Sequence, residues 1–117
     1  MLSETRDNPA CMECGLCRES CPVYEATRDE VVSPRGRAML AAAGADSPTY
    51  YRCTLCRACR IVCPVGRDPE GEHLRARLVA AGLETEANRQ MIANIRRYGN
   101  PFGPLAEGEI PKKLTCC

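Results

Sequence analysis

The chain has 117 residues, ten cysteines, one phenylalanine and no tryptophan, with a formal net charge of +1 at pH 7. Nucleic-acid-binding proteins carry a strong basic excess, so this charge argues against that class. No apolar run approaches the roughly 20 residues of a membrane helix. We therefore expect no membrane span and a cytoplasmic, low-oxygen setting, with membrane association only through a partner. The many cysteines and few aromatic side chains indicate one small domain stabilised by metal.

The first informative segment follows an N-terminal stretch, residues 1–10, that has no regular pattern and is expected to be a flexible arm. Residues 11–22 read Cys-Met-Glu-Cys-Gly-Leu-Cys-Arg-Glu-Ser-Cys-Pro. This is the C-x2-C-x2-C-x3-C-P run that ligates [4Fe–4S] clusters. Gly15 is expected to allow a left-handed backbone or a close approach to sulfide. The charged connector that follows, residues 23–32, is interpreted as a solvated loop.

Two start signals for helices come next. Ser33-Pro34 is typical of an N-cap followed by proline at the first helical position, and this helix is predicted to stop at Gly44. Ser47-Pro48 repeats the signal and predicts a short helical turn. That turn would bring Tyr50 and Tyr51 to a second cysteine segment.

The second cysteine segment, residues 53–64, repeats the frame of the first as Cys-Thr-Leu-Cys-Arg-Ala-Cys-Arg-Ile-Val-Cys-Pro. Three cysteines two residues apart can each take a different iron of one cluster, and the fourth usually serves the other cluster in two-cluster proteins. The sequence therefore predicts two [4Fe–4S] clusters with crosswise ligands. The predicted sets are Cys11, Cys14, Cys17 and Cys63 for cluster 1, and Cys53, Cys56, Cys59 and Cys21 for cluster 2.

Zinc is the main chemical alternative, because C-x2-C pairs also build tetrahedral zinc sites. Such a site needs two separated pairs and gives no reason for the third cysteine or the proline. A disulfide scaffold is typical of secreted chains, and no secretory signal precedes Cys11. We therefore favour clusters over both alternatives.

The chain after the second cysteine segment is predicted to form two more helices. Asp68-Pro69 is expected to open one that carries Leu74 and Leu78 at helical spacing and stops at residues 80–82. Residues 85–98 predict the last, with an apolar stripe at Met91, Ile92 and Ile95 interpreted either as core or as a contact with another subunit. Residues 99–117 are expected to form a tail that contacts a partner or is flexible. Within it, Cys116 and Cys117 could join a partner's metal site or form a redox pair, but a flexible tail is favoured.

The pattern as a whole predicts an all-α fold, because period-2 alternation is absent. Each cysteine segment is followed by a helix that opens Pro-x-Gly and is closed by Ala-Ala-Gly. This repeat predicts two pseudo-symmetric halves around the two clusters, with residues 11–98 as the domain. Since both halves supply ligands, cluster insertion and folding are expected to be one event.

Charged side chains near the cysteines permit a further hypothesis. Arg57 and Arg60 lie within the second segment without an acid, whereas Glu13 and Glu19 accompany Arg18 in the first. Positive charge favours a reduced cluster, so cluster 2 is predicted to have the higher potential. The alternative, in which these arginines face solvent or a partner, is equally favoured.

Three other ionisable residues have two possible interpretations each. Arg35 and Arg37 lie in the first turn of a helix, where the macrodipole disfavours cations. This placement indicates docking or cluster tuning, with a solvated face as the alternative. His73 is the only histidine and is interpreted as an exposed residue rather than a functional one.

Taken together, these motifs resemble the helical two-cluster ferredoxin module. That module occurs in the C subunits of heterodisulfide reductase and of anaerobic glycerol-3-phosphate dehydrogenase, and in iron–sulfur subunits of glycolate and lactate oxidases. The resemblance rests on the two cysteine segments, on Ser33-Pro34-Arg35-Gly36-Arg37 and on Gly99-Asn100-Pro101-Phe102-Gly103.

The resemblance implies an electron-transfer subunit that relays single electrons to or from a catalytic subunit and has no catalytic site of its own. A free ferredoxin-type carrier is the alternative. Oxidase-type relatives continue into a cysteine-rich domain with CCG motifs. The resemblance therefore implies a hetero-oligomer with a partner bearing such a domain, a flavoprotein or both.

Overall fold

The computed structural model describes residues 8–112, whereas residues 1–7 and 113–117, with Cys116 and Cys117, lie outside the described part. Within the described part all regular structure is helical and no strand forms, which confirms the all-α class. No described helix is long and apolar enough to cross a lipid bilayer. The helices are α1 Pro22–Thr27, α2 Pro34–Ala42, α3 Ala58–Ile61, α4 Gly71–Ala80 and α5 Glu86–Tyr98, and 3₁₀ turns form at Leu16–Arg18, Glu30–Val32 and Pro48–Arg52.

Helix α2 begins and ends where the sequence predicts. The Ser33 hydroxyl accepts a hydrogen bond from the Gly36 N–H at 2.9 Å, and Pro34 occupies the first turn. The Gly44 N–H donates to the Ala41 carbonyl, with Gly44 at φ +71°. Glycine has no Cβ to oppose this left-handed conformation, so the helix stops there.

The connector over residues 23–32 is mostly exposed, as expected for a solvated segment, but its interpretation as a loop is wrong because it forms helical turns. The Cys21 sulfur accepts from the Tyr24 N–H and Pro22 takes the first helical position, so α1 forms. Asp29 caps the next turn by accepting from the Val31 N–H at 3.0 Å. That turn places Val32 in the interior, where its side chain is fully buried.

A small core joins α2 and α4 to the second cysteine segment. Tyr50, Tyr51, Leu74 and Leu78 are buried together. The guanidinium group of Arg75 lies 5.5 Å from the Tyr51 ring centroid and donates to the Tyr51 and Cys53 carbonyls. This core thereby holds the start of the second segment against α4.

Helix α4 begins two residues later than Asp68-Pro69 predicts. The Asp68 carboxylate accepts from the Glu70 N–H at 2.9 Å, and Glu70 itself is left-handed at φ +51°. A Cβ on Gly71 would meet Leu55 Cδ2 at 2.5 Å. The chain therefore makes one more turn before α4 starts. This turn places Gly71, which has no Cβ, at the close contact with Leu55.

The predicted bounds of helix α5 are confirmed. The Thr85 hydroxyl accepts from the Asn88 N–H, and Gly99 ends the helix at φ +74°. None of its residues is buried, and Ile95 is 46% exposed. The core interpretation of its apolar stripe is therefore wrong, and its contact with another subunit stays a prediction.

Candidate metal centre

The two cysteine segments share one unusual backbone. Glu13 and Gly15 have φ of +60° and +78°, and Leu55 and Arg57, at the matching positions, have +60° and +61°. Alternating left- and right-handed residues turn successive N–H groups toward one side and form an anion-binding concavity. The repeat in sequence is therefore a repeat in structure, and the left-handed conformation expected for Gly15 is confirmed.

Backbone N–H groups are aimed at the cysteine sulfurs in both segments. The Glu13 N–H donates to Cys11 Sγ at 3.4 Å, and the Leu55 N–H donates to Cys53 Sγ at 3.3 Å. Hydrogen bonds to ligand sulfurs favour the thiolate and are among the factors that set a cluster's potential.

The fourth cysteine of each segment has a similar contact. Cys21 Sγ accepts from the Tyr24 N–H at 3.5 Å, and Cys63 Sγ accepts from the Arg67 N–H at 3.4 Å. The proline after each cysteine changes the chain direction, so these donors come from the residues beyond it. Donors thus reach a sulfur at both ends of each segment.

The four cysteines predicted for cluster 2 line one cleft, named cleft 2 here. They are Cys21, Cys53, Cys56 and Cys59. Cys21 comes from the first segment and the other three from the second. Gly71 also lines this cleft, and a Cβ there would lie 3.7 Å from Cys53 Sγ. The glycine leaves room beside that sulfur.

A second cleft, named cleft 1 here, lies next to the first. It contains Cys11, Cys17 and Cys63, three of the four residues predicted for cluster 1. Cys14 is exposed and does not line it. Cys59 borders both clefts, so the two sites are adjacent.

All eight cysteines of the two segments are free thiols. Among residues 8–112, no three His, Cys, Asp or Glu side chains converge as ligands of a single metal ion would. A cubane places each thiolate on a different iron, so its ligands surround a volume rather than a point. Thiolates around a cleft are a donor set of the kind that [4Fe–4S] clusters require.

Burial changes the acidity of these thiols. Burial raises the pKa of the Cys59 thiol to about 11, and it also raises the pKa of the Cys17 thiol. Cys56 is the opposite case, because hydrogen bonds from the Ala58 N–H and the Thr54 hydroxyl lower its pKa. The buried thiols need a neighbouring cation to ionise, and iron in the cleft supplies that charge.

The arginines singled out in the second segment are neutralised. Arg57 forms an ion pair with Glu72 at 3.1 Å, and Arg60 forms one with Asp68 at 3.2 Å. Both guanidinium groups are about half exposed. The solvent-facing alternative therefore describes them better, and they give little support to a higher potential for cluster 2.

The arginines of α2 behave differently from each other. Arg35 binds Glu30 at 2.7 Å and donates to the Glu13 carbonyl at 3.2 Å, which ties α2 to the first cysteine segment. Arg37 is only 5% exposed and lines cleft 2, so the solvated-face alternative is wrong for this residue. The sequence signal for both is a cation in the first turn of a helix.

His73 lies exposed on α4, as interpreted from the sequence. Asn8 is a structural residue that no sequence motif indicates. Its amide donates to the Asp68 carbonyl at 3.0 Å and accepts from the Asp68 N–H at 2.8 Å. This reciprocal pair ties the chain ahead of the first segment to the chain after the second.

Residues 8–67, about half of the chain, match the family described as 4Fe-4S dicluster domain. The chain belongs to this family. The dicluster domain carries two [4Fe–4S] clusters, and the two cysteine-lined clefts fit that cofactor content. The resemblance inferred from the cysteine frame is thereby confirmed.

Curated relatives of this dicluster chain include iron-sulfur subunits and an electron transport protein. The probable glycolate oxidase iron-sulfur subunit of Bacillus subtilis is 44% identical over 66 residues, 48% of this chain and 15% of the relative. The uncharacterized electron transport protein YkgF of Escherichia coli is 33% identical over 106 residues, 79% of this chain and 22% of that one. The fumarate reductase iron-sulfur subunit of Mycobacterium tuberculosis is 32% identical over 90 residues, 61% of this chain and 34% of that one. The chain thus spans at most about a third of these relatives, and no solved structure matches it.

Proposed function

We propose that this dicluster chain is an electron-transfer subunit of an oxidoreductase complex. The main support is that two cysteine-lined clefts lie next to each other and share Cys59. A [4Fe–4S] cluster passes one electron at a time and needs no acid, base or nucleophile, while the protein supplies position, burial and electrostatics. Two such sites side by side form a relay with an entry and an exit.

We propose the crosswise ligand sets predicted from the sequence, within a domain of residues 11–98. Support for Cys21 as a ligand of cluster 2 comes from its place in cleft 2 beside the three cysteines of the other segment. Support for Cys63 as a ligand of cluster 1 comes from its place in cleft 1 with Cys11 and Cys17. Cys14 completes the cluster 1 set by its place in the motif.

A ligand test uses alanine variants in pairs. If Cys21 and Cys53 serve one cluster, Cys21→Ala with Cys53→Ala loses about four irons per chain, no more than either change alone. Cys21→Ala with Cys11→Ala then loses about eight, because each change removes a different cluster. Iron and sulfide analysis of anaerobically purified protein measures both. The reverse pattern would show that each segment keeps its own fourth cysteine.

We propose that the partner is a catalytic subunit bearing a CCG-type cysteine-rich domain, a flavoprotein or both. The names of two relatives, iron-sulfur subunits of glycolate oxidase and of fumarate reductase, support a partner within an oxidoreductase complex. Exposed apolar side chains within the first cysteine segment, Met12 and Leu16 at 57% each, also support contact with a protein. The proposed setting is cytoplasmic, with any membrane association through that partner.

Purification of the protein from its native cells under anaerobic conditions tests the proposed complex. If the protein is a subunit, it elutes with a second polypeptide. Addition of that polypeptide's substrate then reduces the clusters, which is seen as a loss of absorbance near 400 nm. Elution of an active protein alone would favour a free carrier. Colourless protein without iron would rule out both roles.

A further inference from the structure

Arg37 is a buried cation at the wall of cleft 2. Its side chain lies on α2, is 5% exposed, and lines that cleft together with Cys21, Cys53, Cys56 and Cys59. Its Nη1 has no hydrogen-bond partner in the described part of the chain. Buried guanidinium groups are almost always paired, because an isolated buried charge is unfavourable. The structure therefore leaves a buried donor without an acceptor on a residue that lines cleft 2.

The other charges around the two clefts occur in pairs. At cleft 1, Arg35 binds Glu30 and Arg67 binds Glu70. At cleft 2, Glu72 binds Arg57. These pairs leave little net charge at either site.

Arg37 alone, among the arginines that line the clefts, forms no ion pair within residues 8–112. Among the charged side chains that line the two clefts, Arg37 is therefore the one that makes their charges differ.

The internal repeat places opposite charges at matching positions of its two copies. Pro34-Arg35-Gly36-Arg37 on α2 corresponds to Pro69-Glu70-Gly71-Glu72 on α4. Glu72 is exposed at the position that matches Arg37. The two halves therefore tolerate opposite charges here, and the site of Arg37 differs from its counterpart in burial and in its neighbours.

We propose that Arg37 donates from Nη1 to a sulfur of the cluster in cleft 2 and raises the reduction potential of that cluster above that of the cluster in cleft 1. The proposal rests on the ligand sets proposed above. When a one-electron donor reduces this site, the site gains one negative charge and no bond or proton changes. A fixed guanidinium charge stabilises that added charge, and charge-assisted hydrogen bonds are the stronger kind.

The test is a potentiometric titration of the intact protein followed by EPR, with Cys53→Ala used to identify the cluster 2 signal. In Arg37→Gln, we expect the ratio of reduced to oxidised cluster 2 at a fixed potential to fall about tenfold, equivalent to about 59 mV for one electron. The cluster 1 midpoint stays unchanged. Arg37→Lys keeps the charge and retains most of the wild-type potential.

Arg60→Gln is the matched control, because Arg60 is also close in sequence to a ligand but is half exposed and lines neither cleft. We expect it to leave both midpoints at their wild-type values. Unchanged midpoints in an Arg37→Gln protein with full iron, or equal shifts of both clusters, would overturn the proposal. Wrong ligand sets would be recognised separately, from the iron counts of the cysteine variants.

A second measurement needs no variant and covers the case in which Arg37→Gln does not assemble. Wild-type protein is labelled with arginine that carries ¹⁵N only in the guanidinium group, and the reduced protein is studied by pulsed EPR. We expect a ¹⁵N coupling to the cluster of higher potential. Absence of that coupling would exclude the hydrogen bond and with it the proposal.

Discussion

One residue of the second cysteine segment adopts a backbone conformation that a glycine adopts in the first. Arg57, at φ +61°, takes the place of Gly15, at φ +78°. The left-handed conformation costs a non-glycine residue roughly 1–2 kcal/mol. The half-exposed Arg57–Glu72 ion pair contributes less than that. We therefore infer that the geometry needed around the cluster keeps Arg57 left-handed, although this conformation is unfavourable for a non-glycine residue.

The strain at Arg57 leads to a first prediction. Arg57→Gly should raise the stability of the loaded protein by about 1 kcal/mol, because the relief of strain exceeds the lost ion pair. Gly15→Ala should lower it by at least as much, since the new Cβ also lies 3.0 Å from Arg35 Nη1. The apparent unfolding temperature under anaerobic conditions measures both changes.

Gly82→Ala separates strain from contact in that comparison. Gly82 has a similar φ of +71° but nothing lies within 4 Å of an added Cβ. It should show the conformational cost alone. A larger loss for Gly82→Ala than for Gly15→Ala would contradict this explanation.

Glu30 holds together several donors near the first segment, and its removal is the second prediction. Burial alone would raise the pKa of this carboxyl, but hydrogen bonds from Arg35, Ser33 and Arg18 hold it below its ordinary value. Glu30→Gln should lower stability by about 1 kcal/mol, a figure reduced for the partial exposure of the group. Thermal unfolding followed by circular dichroism measures the loss.

The sign of the pH dependence follows from the lowered pKa of Glu30. A carboxyl with a depressed folded-state pKa stabilises the protein above its unfolded-state pKa, and that contribution disappears as the pH falls through the folded-state pKa. The difference between wild type and Glu30→Gln should thus be constant between about pH 6 and pH 8. Glu25→Gln, an exposed change on α1, is the control. A difference that varies across this range would contradict the assignment.

The elements can be predicted wherever a familiar start signal precedes them. Ser33 and Thr85 stand at two predicted starts, each caps its helix, and both helices have the predicted bounds. Helix α1 escapes prediction because its cap is a cysteine sulfur, a residue that sequence rules assign to metal rather than to a helix. The predicted start of α4 is too early because a contact between Gly71 and Leu55, distant in sequence, decides it.

Two glycines that match in the sequence repeat, Gly36 within α2 and Gly71 at the start of α4, give the third prediction. A Cβ on Gly36 would overlap the Glu30 carbonyl oxygen, a backbone atom that cannot move without its 3₁₀ turn. A Cβ on Gly71 would meet the end of the Leu55 side chain, which can rotate away. Gly36→Ala should cost more than about 3 kcal/mol despite the helix propensity of alanine, whereas Gly71→Ala should cost about 1 kcal/mol.

Soluble yield and apparent unfolding temperature distinguish these two variants. Ala76→Gly, an exposed change of the opposite kind on α4, gives the scale of helix propensity alone, about 1 kcal/mol. Equal losses for Gly36→Ala and Gly71→Ala would show that the Glu30 turn is free to move.

At the scale of the whole molecule, the apolar core is small for the length of the chain. Six hydrophobic residues are buried within the described part: Cys21, Val32, Tyr50, Tyr51, Leu74 and Leu78. One of the six is itself a proposed ligand. Small domains of this kind depend on metal for their stability.

Removal of iron is therefore the fourth prediction. Chelation under reducing conditions should unfold most of the chain, with loss of helical circular dichroism and an increase in the radius of gyration above 16.4 Å. Reconstitution with iron and sulfide should restore both. Apo-protein that keeps its helices and its size would show that the core suffices alone.

The cofactor content is predictable, because the C-x2-C-x2-C-x3-C-P frame specifies a cluster directly. The cysteines of cleft 2 are the predicted set, whereas cleft 1 lacks Cys14 and also contains Cys59. The charges are not predictable. Arg57 and Arg60 are close in sequence to the cysteines, which is why the sequence suggests a role for them. Folding brings Glu72 to Arg57 and Asp68 to Arg60, and these ion pairs cannot be read from the sequence. Arg37 is far from the second segment in sequence and reaches cleft 2 only because α2 packs there.

The place of Cys59 at the boundary of both clefts has a consequence for damage. Oxidation of a surface thiol such as Cys14 would disable one station of the relay and leave its neighbour intact. Chemical attack on Cys59 would disturb both stations at once, since the wall between them is built in part from that sulfur. Before iron binds, the partial burial of Cys59 and the high pKa of its thiol make it a poor target for oxidants. The residue that both clefts share is therefore protected from oxidation in that state.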